Sequence, residues 1–102
     1  MKVLKMKFSY GKPINEDTPI CDLDAGTHFY FKGYVEDEKG RKGAKFIEEG
    51  SSGYDFNYKD TEVILFPGDT YTGSWSYTES DGPTEWEEVM ICYYVELVEV
   101  DE

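Results

Sequence analysis

Along much of the chain, apolar residues recur at every second position, the period at which side chains on a pleated strand share a face. Leu4, Met6, Phe8 and Tyr10 alternate with Lys5, Lys7 and Ser9. After a polar stretch from Gly11 to Gly26, Phe29, Phe31, Gly33 and Val35 alternate with Tyr30, Lys32 and Tyr34, and His28 extends the polar set. The charged run Glu36 to Gly43 reads as a turn, with a return strand from Ala44 to Glu48 completing a hairpin. A Gly/Ser break at residues 49–53 leads into Tyr54, Phe56 and Tyr58, alternating with Asp55 and Asn57. Glu62 to Phe66 is a short continuous apolar run, the pattern of a strand covered on both faces. Pro67-Gly68-Asp69 turns the chain into the cleanest alternation of all, Tyr71, Gly73, Trp75 and Tyr77 against Thr72, Ser74, Ser76 and Thr78.

The segment 85–100 fits two periods. Trp86, Val89, Met90, Tyr93 and Leu97 fall at helical spacing, and Thr84 with Glu87 fits a capping box. A helix would, however, be apolar all round and rich in β-branched residues. As a strand, Val89, Ile91, Tyr93, Val95 and Leu97 form one face, so the segment is assigned to strand, with one short helical turn allowed near residue 84. Such a strand spans about 50 Å, against a compact domain only about 33 Å across, so it must bend, bulge or project. Six or seven strands in a chain of 102 residues predict a single all-β domain over residues 1–102, a small antiparallel β-sandwich or barrel. The turns Gly33-Tyr34-Val35-Glu36-Asp37, Gly40, Gly43-Ala44 and Pro67-Gly68-Asp69-Thr70-Tyr71-Thr72 resemble those of carboxypeptidase-regulatory-like β-sandwich modules over residues 33–77. That resemblance implies a sandwich.

Nine Tyr, six Phe and two Trp make an aromatic-rich core and exclude an acidic disordered chain. Lysines interrupt the N-terminal segment where a signal peptide is apolar, and no run nears the roughly 20 apolar residues of a bilayer-spanning helix. Cys21 and Cys92 are far apart in sequence, without metal spacing, and read as reduced core residues of a cytoplasmic protein. The net charge of −12 is unevenly placed. Residues 1–59 hold ten acids and ten bases; residues 60–102 hold twelve acids and neither Lys nor Arg. This asymmetry disfavours nucleic acid and anionic membranes as partners and favours a cationic surface.

Catalytic patterns are missing from the sequence. His28 is the single histidine and reads as a solvated or packed strand residue. Neither a G-x-S-x-G elbow nor a phosphate-cradling glycine motif occurs. Asp22-Leu23-Asp24-Ala25-Gly26 opens like a calcium loop, but its glycine falls one position early and Gly33 stands where the closing glutamate belongs. Neither enzyme activity nor a metal or cofactor is expected.

Two functional features remain. The acids Asp69, Glu79, Asp81, Glu85, Glu87 and Glu88 could present a negative patch to a basic protein surface, placing carboxylates where the phosphates of a nucleic acid would lie. Tyr71, Trp75 and Tyr77 belong to a Tyr/Trp/Ser/Gly mixture like that of binding loops, able to stack a sugar or other small molecule. Their alternation, though, puts them on one strand face, which suits the core better. Exposure of Trp75 separates these readings. The expected function is a binding module or inhibitor, with a ligand-binding sandwich or an accessory domain without ligand as alternatives.

Overall fold

A computed structural model describes the chain except for residues 51–58, 81 and 83–85, with the side chains of residues 77, 78, 80, 86 and 88 also left aside. The described residues contain seven strands and no helix: β1 (Lys2–Tyr10), β2 (Ile20–Cys21), β3 (Phe29–Glu36), β4 (Lys42–Glu48), β5 (Thr61–Leu65), β6 (Thr70–Ser80) and β7 (Trp86–Asp101). They form two antiparallel sheets, a four-stranded one ordered β2-β1-β7-β6 and a three-stranded one ordered β3-β4-β5. The architecture is that of a small β-sandwich. The helical turn allowed near residue 84 and the alternation at 54–58 lie outside the described residues.

Alternation sets which side chains face inward. Leu4 and Met6 on β1, Tyr93, Val95 and Leu97 on β7, Phe29 on β3, Phe46 on β4, and Val63 and Leu65 on β5 are buried between the sheets. Leu23 and Ala44 complete the core. Phe29 stacks on Phe46 with ring centroids 4.5 Å apart, and Phe8 stacks on Tyr93 at 5.6 Å. Each large side chain so buried contributes about 1.5–3 kcal/mol.

Two local expectations are corrected, and β3 carries an irregularity that alternation does not announce. Val63 and Leu65 are buried, but Ile64 is 47% exposed and Glu62 is exposed, so β5 is a half-buried edge strand and not one covered on both faces. An edge strand on a two-layer sandwich has solvent behind it, and a short apolar run does not reveal that. In β3 the register against β4 shifts between Phe31 and Gly33. Lys32 is the extra residue, yet the alternation of burial continues past it: Phe31, Gly33 and Val35 are half-buried, while Tyr34, opposite Ala44, is 61% exposed. Cys21 is half-buried against the core, whereas Cys92 is exposed on the outer face of β7; both thiols are free. The two-residue β2, inside the polar stretch 11–26, has too few residues to leave a periodic signal.

β7 is 16 residues long and projects. β1 pairs with it from Tyr10↔Tyr93 to Lys2↔Asp101, while β6 pairs from Thr70↔Glu96 to Ser80↔Trp86 without a register shift. Residues 86–92 therefore have only β6 beside them, among the described residues, apart from the Gly11 N–H to Cys92 carbonyl bond of 2.7 Å that closes the end of β1. The molecule measures 56 × 30 × 16 Å with a radius of gyration of 15.9 Å. A compact chain of this length has a radius near 13 Å.

Candidate functional site

The projecting β6–β7 hairpin places like charges opposite one another. Glu79 is the cross-strand partner of Glu87, and Thr78 of Glu88. The Glu79 and Glu87 side chains are both exposed. Directly opposed like charges destabilise an antiparallel pair by a few tenths of a kcal/mol or more. Asp81, Glu85 and the side chain of Glu88 lie outside the described residues. Asp69 is elsewhere, in the turn between β5 and β6. Its carboxylate accepts from the Phe66 N–H at 2.8 Å, and its carbonyl accepts from the Leu97 N–H at 3.1 Å. It builds the turn and stands at the far end of β6 from the hairpin acids.

The acids at the other end of β7 meet a basic neighbour. β1 carries three lysines, and its register sets Lys7 opposite Glu96 and Lys2 opposite Asp101. Lys2 Nζ lies 3.7 Å from Glu99, and Lys5 bridges Asp22 and Glu102, the latter at 3.7 Å. The hydrogen bond that Lys5 donates to Asp22 raises the Lys5 pKa above its ordinary value. A shallow pocket lies here, between Val3, Leu23, Phe31 and Tyr34, where Lys5 is engaged by Asp22 and Glu102. So the acidity of the last 43 residues (60–102) is partly compensated along β1 and is left to the hairpin end where β1 stops.

Tyr71 and Trp75 turn inward. Both are half-buried against the core, and Tyr71 stacks on Phe29 at 5.5 Å. The Tyr71 and Tyr93 hydroxyls bind the Glu48 carboxylate across the two sheets. Burial first, and then Glu48, pushes the Tyr71 pKa up to about 12, and the same two causes raise that of Tyr93. Gly73 lies opposite Tyr93, and a side chain there would land on the Glu48 carboxylate and the Tyr93 ring. Neither Tyr71 nor Trp75 is an open stacking platform. The Tyr77 side chain lies outside the described residues.

His28, Glu49 and Tyr30, to which sequence reasoning assigned no functional role, meet at the base of the hairpin. His28 is not a strand residue: it sits just before β3 with φ at 60°, in the left-handed region that non-glycine residues seldom occupy. Its imidazole stacks on Trp75 with centroids 4.0 Å apart and planes 6° from parallel. Nδ1 is 2.6 Å from Glu49 Oε2, and the Glu49 N–H donates to the His28 carbonyl at 2.9 Å. Tyr30 also donates to Glu49, at 3.4 Å, and that carboxylate raises the Tyr30 pKa. The Glu48-Glu49 pair at the end of β4 was the available signal. Alternation sends one of the two inward, and an inward carboxylate calls for donors.

No group of three or more His, Cys, Asp or Glu residues among the described ones could hold a metal ion. No helix among them is long and apolar enough to cross a membrane. No protein-family model, curated protein or solved structure matches the chain.

Proposed function

We propose that this protein is a non-enzymatic binding module that docks on a basic protein surface through the acidic end of its β6–β7 hairpin. The observation that carries this reading is the exposed Glu79↔Glu87 pair, set on two strands that have left the support of β1. Opposed carboxylates cost the isolated hairpin stability, and a cationic partner removes that cost by lying between them. A strand pair that extends past the body also presents its charge where a concave basic site can close around it. A nucleic-acid-binding protein is the partner class with such a site, because rows of carboxylates then occupy the positions of phosphates. Half-burial of Tyr71 and Trp75 weighs against the alternative of a sugar-stacking module. The two free thiols accord with a reducing compartment, and we place the protein in the cytoplasm.

The test is capture from the native host's lysate at low salt, using wild type and the pair Glu79→Lys with Glu87→Lys, followed by mass spectrometry. The expected result is a basic protein retained by wild type and lost from the double variant. Retention of the same partner by both sinks the hairpin as the contact.

A further inference from the structure

The geometry points to His28 as a clasp that fixes the base of the projecting hairpin to the three-stranded sheet. Three observations meet at this residue. The first is position. β1 ends opposite Tyr93, and the next inward side chain on β6 past that level is Trp75, because Gly73 has none. Among the described residues, Trp75 therefore stands where the four-stranded sheet narrows to a two-stranded ribbon, and a two-stranded ribbon alone is marginally stable in water.

The second observation is contact. The His28 ring covers Trp75 in a near-parallel stack at 4.0 Å, while Nδ1 holds Glu49 at the end of β4. His28 and Glu49 belong to the β3–β4 side of the sandwich and Trp75 to the β6–β7 side, so one imidazole joins the two sheets. Tyr10, at the end of β1, approaches the same imidazole with a centroid distance of 6.3 Å and completes the surround.

The third is backbone conformation. A φ of 60° at a residue with a β-carbon is sparsely populated and persists when its surroundings over-determine it. Here the surroundings are identifiable: the carbonyl is held by the Glu49 N–H and the ring by Trp75 and Glu49. The clasp acts on the hairpin's orientation and local opening, whatever the hairpin binds.

Native-state hydrogen exchange of the whole chain tests this. His28→Asn tolerates the left-handed backbone and removes the ring; His28→Gly relaxes the backbone and also removes the ring. Both variants are expected to speed exchange at residues 74–80 and 86–92 by roughly three- to tenfold, the range of one aromatic stack. Amides of Met6, Phe46, Val95 and Leu97, in the buried core, should keep their wild-type protection. The proposal is overturned if exchange is unchanged in both variants. It is equally overturned if hairpin and core amides accelerate together or the variants fail to fold, because His28 is then a general stabiliser and not a local clasp. A Trp75→Leu chain supplies the second arm: His28→Asn should add no further acceleration on that background. A full additive effect there removes the stack as the cause.

Discussion

Glu48 holds the hydroxyls of Tyr71 and Tyr93 between the two sheets, and this ties protonation to folding. Both phenols have raised pKa values, through burial first and the neighbouring carboxylate second. The folded chain thus keeps them neutral in a range where the unfolded chain lets them ionise. Their contribution to stability is fully present below the ordinary tyrosine value, about 10, and is lost as pH climbs towards about 12 for Tyr71. Denaturant midpoints should fall across that interval, with phenolate absorbance for these two tyrosines appearing together with unfolding. Glu48→Gln should narrow the interval without abolishing it, since burial remains. A second consequence is steric. Gly73→Ala places a methyl group on the Glu48 carboxylate and the Tyr93 ring, and should cost about 1–3 kcal/mol in chemical denaturation. None of this was legible from single residues. His28 and Glu48 each look like ordinary surface-type residues in sequence, because what makes them matter is contact across sheets. Alternation left open whether Trp75 and Tyr71 face the core or a ligand, and the fold packs both, half-buried, against the core.

At the scale of elements, period-two alternation located the major strands wherever one face is apolar and the other polar. It worked for β1, β6 and the long β7, where the β-branched content outweighed the helical spacing of Trp86, Val89, Met90 and Tyr93. It failed where the pattern depends on a neighbour. The bulge at Lys32 comes from pairing with β4, and the half-exposure of β5 comes from a two-layer fold that covers only one face of each sheet. The charged segment between β3 and β4 was legible as a turn, but not the residue that makes it. Asp37 accepts from the Lys39 and Arg41 N–H groups at 2.9 and 2.8 Å, while Arg41 reaches the Pro67 carbonyl and lies over Phe66 at 5.5 Å. One turn is thereby tied to the next. Asp37→Ala leaves two backbone donors to water and should destabilise by about 1–2 kcal/mol. A measured loss well below that range would mean that the Arg41 contacts hold the turn alone.

For the whole molecule, the fold converts an asymmetry along the sequence into one in space. The −12 net charge arises beyond residue 59, yet β1 sets its lysines beside the terminal half of β7 and stops short of the hairpin end. A local field of one sign raises association with a cationic site by a decade or more at low salt. It decays as the screening length falls from about 10 Å at 0.1 M to about 3 Å at 1 M salt. Glu79→Lys with Glu87→Lys should therefore slow association with a basic partner. The matched control is Glu16→Lys with Glu62→Lys, two exposed acids away from the hairpin that change the net charge equally. Asp37 is unsuited to that control because its carboxylate builds a turn. Equal net charge with unequal rates would assign the effect to the hairpin's local field. Because an exposed ion pair is worth under about 1 kcal/mol, the difference between the two double variants is the informative quantity, not either loss alone. Stopped-flow association between about 0.05 and about 0.5 M salt should show the steeper dependence in wild type and in the control pair. If both double variants lose rate alike, the acidic hairpin acts only through total charge, and a solvated, aggregation-resistant surface accounts for it.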